Sequence, residues 1–344
     1  MKSLRFSRTG STTQADRGER GDATRLASGA SGEGAARDFD FTTADFERIR
    51  SLIHRRAGIS LSDHKRDMAY SRLARRLRAL GLDSFREYLD ELEKRNDAGE
   101  WEAFTNALTT NLTAFFREAH HFPILADFVK RRPQPVSVWC SAASTGEEPY
   151  SIAMTLIEAL GDRAAREARV LATDLDTQVL AKADAGVYAY DQVKHLTPER
   201  LKRFFLKGTG SHAGLVKVRP ELRQMIKFEQ LNLTDADYGL RQNFDAIFCR
   251  NVMIYFDKPT QAQVLTRFEP LMKPDGLLFA GHSENFTYVT QAFRLRGQTV
   301  YELTRGRGAA TSAASATGST ASSTTGSATG SAKAPAKSEA GASV

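Results

Sequence analysis

Short runs that are apolar almost throughout recur in the second half of this chain: VSVWC at 136–140, RVLAT at 169–173, FDAIFC at 244–249 and GLLFA at 276–280. Five or six such residues between turn signals read as a strand buried on both faces, and that burial needs a layer of helices on each side. Helical periodicity at 147–160, 175–184 and 258–272 supplies the layers. With a further strand at 226–231 and a closing hairpin at 292–297 and 299–303, the expected fold is α/β, a mainly parallel sheet covered on both faces. The segment 201–225 breaks this rhythm. Its Gly208, Gly210 and Gly214 suit tight turns while Leu215, Val216 and Val218 suit short strands, so it reads as a small β insertion.

Upstream, from 42 to 110, the pattern is helical. Thr42 or Thr43 can cap a helix bearing Phe46, Ile49, Leu52 and Ile53 on one face. Asp63 can start a second, with Met68, Leu73, Leu77 and Leu80, that stops at Gly81. A third begins at Asp83 or Ser84 and carries Phe85, Tyr88, Leu89 and Leu92; Trp101, Phe104 and Leu108 mark a fourth. The second helix has Lys65, Arg66, Arg72, Arg75, Arg76 and Arg78 against Asp67 alone. Such a run is either a solvated face or a surface for an acidic partner.

Residues 1–38 and 306–344 are small, polar and low in complexity, and are expected to be disordered tails. Between them the expectation is a helical domain at 39–110, a linker at 111–122 and an α/β domain at 123–305 with its β subdomain at about 201–225. No apolar run approaches the ~20 residues of a membrane span, and no signal peptide is evident, so a cytoplasmic protein without membrane insertion is expected. Cys140 and Cys249 each end a strand candidate and read as apolar fillers. The net charge of +7 permits an acidic partner without demanding one.

The loop CSAASTGEEPYS at 140–151 has the setting of a phosphate-binding turn but not its chemistry. It lacks the glycine fingerprint of a dinucleotide site and the Gly-Lys-Ser/Thr of a phosphate loop. Instead Glu147 and Glu148 fall in the first turn of the next helix. The helix dipole alone favours acids there, yet a ligand at this edge meets negative charge. Pyrophosphate is disfavoured; S-adenosylmethionine, with an ammonium and a sulfonium, fits better. Asp174 ends the second strand, where a carboxylate can accept from both ribose hydroxyls, and Asp176 is the candidate cap of the helix that follows. Asn232 and Leu233 end the third strand and could serve the adenine, the amide its polar edge and the apolar side chain its face. Arg250 and Asn251 follow the fourth strand directly, and Tyr255 comes a short turn later. Before the sheet, TTNLTAFFREAHHF sets Asn111, Thr113 and Arg117 among aromatics as a candidate lid.

NLTAFFREAHHF, WCSAASTGEEPYSIAM, LATDLDTQVL, FDAIFCRNVMIYF and LLFAGHSE, in this order and spacing, resemble the chemotaxis receptor methyltransferase family over roughly residues 40–303. The resemblance implies a helical domain joined to a Rossmann-like, S-adenosylmethionine-dependent methyltransferase domain with a β subdomain. It implies transfer of a methyl group to particular glutamates on the cytoplasmic helices of chemoreceptors, with S-adenosylhomocysteine as product. Cofactor contacts are implied for Asn111, Thr113, Arg117, Glu147, Asp174, Asn232, Leu233, Arg250 and Asn251, with Arg117 and Tyr255 nearest the transfer centre and no metal. Members that dock on a peptide at the receptor's C-terminus have a glycine pattern like KGTGSHAGLVK; this chain keeps Gly208, Gly210 and Gly214 but has Lys207 and Lys217 where arginine is common, so bidentate recognition of a carboxylate is lost. The basic helix, Lys65 to Arg78, could read carboxylates near the methylation sites. A glutamate carboxylate is ionised near pH 7, so no general base is required. Arg117 is then expected to orient the acceptor and Tyr255 to hydrogen-bond at the same centre. A monomer is expected. The alternatives are an S-adenosylmethionine-dependent methyltransferase acting on another protein or on nucleic acid, the latter disfavoured because the site mouth has no Asp/Asn-Pro-Pro-Tyr-type stretch for a flipped base, and a non-catalytic S-adenosylmethionine-binding signalling module.

Overall fold

The computed structural model describes residues 38–304 apart from Gln134, and the two tails expected to be disordered, Asp38 apart, lie outside the described residues. Four helices open the fold: α1 (Thr43–Ala57), α2 (Arg66–Leu80), α3 (Phe85–Arg95) and α4 (Ala98–Leu108). The expected caps form. Thr42 accepts from the Asp45 backbone in a capping box, and Ser84 accepts from Glu87. The second helix differs at its start, because Asp63–Lys65 is a 3-10 turn that leads into α2. Phe46, Ile49, Leu73, Leu77, Phe85, Leu89 and Phe104 form one buried core within this bundle.

Helix α5 (His121–Lys130) leads into the sheet through β1 (Val136–Cys140), α6 (Glu147–Leu160), the short α7 (Ala164–Glu167), β2 (Ala168–Asp174) and α8 (Thr177–Ala185). The insertion follows as β3 (Val187–Ala189), α9 (Tyr190–Val193), α10 (Pro198–Phe204), β4 (Phe205–Lys207), β5 (Leu215–Val218) and α11 (Pro220–Arg223). Then come β6 (Ile226–Gln230), β7 (Phe244–Cys249), α12 (Lys258–Phe268), β8 (Met272–Ala280) and the hairpin β9 (Phe293–Gly297) and β10 (Val300–Leu303).

Seven strands pair in the order β6-β2-β1-β7-β8-β10-β9. The first five run parallel, and β10 and β9 close the edge antiparallel. Every residue of β7 is buried, as its apolar run demands. Side chains from alternate positions feed two cores, one with α5 and α6 and the other with α12. Asp245 is buried within β7, where Arg132 and Lys273 neutralise it at 2.9 and 2.7 Å. The β insertion is larger than the sequence suggested. Its sheet has the order β3-β5-β4, so one strand comes from Val187–Ala189, upstream of 201–225; three residues are too few to show a period.

The helical domain is bonded to the sheet domain at the turn after α1. Ile59 bridges Phe256, the Ser60 N–H donates to the Tyr255 carbonyl at 2.8 Å, and His54 meets Asp257 at 2.9 Å. Gly58 sits at this contact with φ +66°, and a Cβ there would lie 2.5 Å from Thr234 Cγ2. Gly58→Ala should therefore destabilise the protein by about 1–3 kcal/mol, read as a lower urea midpoint; an unchanged midpoint would show that the two domains do not press together here.

Candidate functional site

A cleft of about 930 Å³, its open mouth included, lies at the carboxyl ends of β2, β1 and β7, roofed by Ala57, Ile59 and Leu108 of the helical domain. Open α/β sheets bind ligands at this edge. Of the residues expected at the cofactor, Asn111, Thr113, Arg117, Asp174, Asn232, Leu233, Arg250 and Asn251 line the cleft, as does Tyr255.

Backbone bonds shape the loop after β1. The Ser141 N–H donates to the Phe248 carbonyl and the Ala143 N–H to the Thr173 carbonyl, both at 2.9 Å, so the loop is held to both neighbouring strands. Ser144 is left-handed, with φ +48°, and its N–H donates to the Asp174 carboxylate at 2.7 Å. Gly146 has φ +100°, and a Cβ there would approach the Tyr188 hydroxyl to 2.7 Å and Ala183 Cβ to 2.8 Å. The glycine of STGEE is thus a steric requirement.

The two acids of this loop divide their work differently from the sequence expectation. Glu147 does not line the cleft; its carboxylate accepts from the Thr145 hydroxyl at 2.7 Å and from Gln192 at 3.3 Å. Glu148 lines the cleft instead. It accepts from Arg250 Nη1 at 2.5 Å, and Cys140 Sγ lies at 3.3 Å. Consecutive helical residues point about 100° apart, so only one of an adjacent pair can face a given wall, and the register at Gly146 selects the second. Burial raises the pKa of Glu148, opposed by Arg250; burial also raises Glu147 and Asp174, the latter opposed by the N–H groups of Asp176 and Ser144.

Several expected ligand groups have bonds within the protein. The Asn232 amide donates to the Arg56 carbonyl at 2.9 Å and accepts from Thr234, so it ties the sheet edge to α1 rather than presenting a free amide. The Asn111 amide donates to Asp176 at 2.9 Å, and Asp176 also caps α8 as expected. Arg250, 4% exposed, is held by Glu148 and donates from Nη2 to the Arg117 carbonyl at 2.5 Å. Asn251 is left-handed, with φ +58°, and its N–H donates to Glu284 at 3.0 Å. Glu284 also accepts from the N–H groups of Met253 and Gly281.

Sequence reasoning missed two acids. Glu284 fastens the turn after β7 to the end of β8. Glu118 lies behind Arg250, with 3.3 Å between Oε2 and Nη2, and accepts from Asn251 at 3.1 Å. Burial would raise its pKa, but Arg250 with the bonds from Asn251 and His282 outweighs that and brings it to about 2. For Glu118 the signal was present, since REAHHF puts it beside Arg117; Glu284 had only its place in the LLFAGHSE motif. The basic residues of α2 are also partly spoken for. Arg66 donates to the Phe41 carbonyl, Arg72 to those of Ala107 and Thr109, Arg76 pairs with Glu100 and Arg78 with Asp38. Lys65 and Arg75 are exposed. In the insertion, Lys207 is exposed on β4, Lys217 lies on β5 opposite Leu206, and Gly208, Gly210 and Gly214 lie in or beside the connecting turn. Both cysteines are free thiols whose pKa values burial pushes well up.

Two family descriptions match this chain: "CheR methyltransferase, all-alpha domain" over residues 44–109 and "CheR methyltransferase, SAM binding domain" over 111–302. The chain is 60% identical over 262 residues to the chemotaxis protein methyltransferase of Escherichia coli K12, covering 76% of this chain and 91% of that protein. It is 52% identical to chemotaxis protein methyltransferase 2 of Pseudomonas aeruginosa, covering 77% and 94%. A probable chemotaxis protein methyltransferase of Rhizobium etli is 37% identical, covering 74% and 97%.

The fully buried His121 beside this site makes stability depend on pH. Its Nε2 lies 2.9 Å from the Gln298 carbonyl, which calls for the proton on that nitrogen. Burial first, then the charge of Arg250, lower its pKa from 6.5 to about 4. Unfolded chains therefore bind this proton more readily than folded ones between those values, so its contribution is complete above about pH 6.5 and declines as pH falls toward 4. His121→Gln should flatten that part of the stability–pH curve by at most about 3 kcal/mol, measured by urea denaturation from pH 7 to 4; parallel curves would contradict it.

Proposed function

The chain belongs to the CheR methyltransferase family, and from that premise we propose that it methylates glutamate side chains of chemoreceptors at the cleft described above, with S-adenosylmethionine as the methyl donor. The observation that carries the reading is the charge set of the cleft. Glu148 and Asp174 line it together with the guanidinium groups of Arg117 and Arg250, and Glu148 pairs with Arg250 at 2.5 Å. The lining thus offers two carboxylates for cationic or hydroxyl groups of a ligand and two guanidinium groups for a carboxylate. S-adenosylmethionine carries an ammonium, a sulfonium and a carboxylate, a net of one positive charge, and its sulfonium makes the methyl group electrophilic. Burial opposes ionisation of Glu148 and Asp174, so these two gain most from a cation or donor groups placed against them. The donor set therefore fits this molecule.

Asp174 already accepts one backbone N–H on each oxygen, and each oxygen retains a lone pair for a ribose hydroxyl. Leu233 offers an apolar wall. Glu148 takes the place first expected for Glu147 toward the cationic end, with Arg250 holding it in position. Arg117 and Tyr255, both at the cleft and partly exposed, orient the acceptor carboxylate. Ionised glutamate needs no base, so the chain's task is alignment and exclusion of water.

Receptor contact is assigned to two further surfaces. The exposed Lys65, in the 3-10 turn before α2, and the exposed Arg75 on α2 serve it best, because Arg72 and Arg76 are only partly exposed and are bonded to the Ala107 carbonyl and to Glu100. On the insertion, β3 and β4 are edge strands able to accept an added peptide strand, with Lys207 and Lys217 nearby for a terminal carboxylate.

Tritiated methyl transfer to a receptor cytoplasmic fragment tests this function. Base-labile label is expected, lowered several-fold by deleting the receptor's C-terminal peptide or by Lys65→Glu with Arg75→Glu; base-stable label would refute a carboxyl ester. Independently, Asp174→Asn should weaken binding of S-adenosylhomocysteine about 10–100-fold, the loss of charge-assisted bonds, with calorimetry as the check and an unchanged Kd as the contrary result.

A further inference from the structure

Arg117 stands between two residues whose backbones are left-handed, Phe116 at φ +54° and Glu118 at φ +53°. Side-chain-bearing residues adopt this region rarely and keep it only when their surroundings hold them there. Phe116 is held by its N–H, which donates to the Ser151 hydroxyl at 2.9 Å, and by Arg200, whose guanidinium lies 3.9 Å from the ring centre. Glu118 is held by its carboxylate. One oxygen accepts from Asn251 Nδ2 at 3.1 Å and meets His282 Nδ1 at 3.3 Å; the other faces Arg250 Nη2 at 3.3 Å. That same Arg250 nitrogen donates to the carbonyl of Arg117 at 2.5 Å. The side chain of Arg117 donates in turn to the Leu112 carbonyl at 2.9 Å, within the same linker.

We propose that Glu118 is a positioning residue for methyl transfer, anchoring Arg250 and Asn251 beneath the linker and so fixing the direction in which Arg117 enters the cleft. The inference rests on the role of Arg117 proposed above. Glu148 alone could neutralise Arg250, at 2.5 Å and in the buried wall of the cleft. A second carboxylate on the same guanidinium is not needed for charge balance there. What Glu118 adds is a link between the turn after β7 and the linker, since its own backbone continues directly from Arg117. Its contacts reach three segments that meet around Arg117: the linker, residues 250–251 and His282.

A double-mutant cycle with Arg117 tests this. Glu118→Gln keeps the shape but presents a neutral amide to Arg250. In the wild-type background kcat for receptor methylation should fall about tenfold or more, while the Kd for S-adenosylhomocysteine stays within about threefold. In an Arg117→Ala background the same change should cost less than about twofold, because the group through which it acts is gone. Glu118→Asp restores the charge at shorter reach and should recover part of kcat, which separates positioning from a general folding defect. Equal losses in the two backgrounds would overturn the proposal and leave the role of Arg117 standing. An Arg117→Ala enzyme with full kcat would overturn the role of Arg117 and the proposal with it. A loss confined to cofactor affinity would make Glu118 part of the cofactor wall instead, and would also overturn it.

Discussion

The buried guanidinium of Arg250 organises the carboxyl edge of the sheet. A charge in so dry a place is tolerated only when a carboxylate is paired with it, and leaving it uncompensated costs about 3–5 kcal/mol. Glu148 comes to it from the first turn of α6, Glu118 from the linker, and the carbonyl of Arg117 completes the set. These contacts join segments that are distant in the chain. The conformation of the linker, the register of α6 at Gly146 and the turn after β7 are consequently parts of one arrangement. Glu284 performs the matching task on the other side, gathering backbone N–H groups from residues 251, 253 and 281.

Much of the architecture was legible because it follows from burial. The runs at 136–140 and 244–249 emerged with those bounds, since a strand covered on both faces must be apolar along its length. The four-helix domain was legible from its apolar spacing and caps. Elements set by long-range contacts were not. Strand β3 is three residues whose pairing with β5 is the source of its conformation. Glu147 and Glu148 are chemically identical neighbours, and only the three-dimensional register decides which faces the cleft. Asn232 was recognisable as a site-edge residue, but its bond to the Arg56 carbonyl crosses between domains and leaves no local trace. The arginines of α2 looked one-signed because their partners, Asp38 and Glu100, lie elsewhere in the sequence.

The helical domain belongs to the site rather than standing apart from it. Ala57 and Ile59 roof the cleft, and the turn that carries them is bonded to Tyr255 and Phe256, beside the residues assigned to the acceptor. Helix α2 adjoins the same cleft through Arg72, which donates to the carbonyl of the cleft-lining Thr109, so a protein substrate read by α2 would be sensed close to the site of transfer. Such closeness suits an enzyme whose acceptor is already a nucleophile, where geometry and dryness supply the rate.

The central claim is that one cleft, lined by Glu148 and Asp174 together with Arg250 and Arg117, seats the methyl donor. A crystal structure of the complex with S-adenosylhomocysteine tests it most directly. The account predicts the ribose hydroxyls on Asp174, the ammonium on the Glu148 side and the sulfur facing Arg117 and Tyr255. A ligand bound with its ammonium against Glu147, or seated away from Asp174, would contradict it.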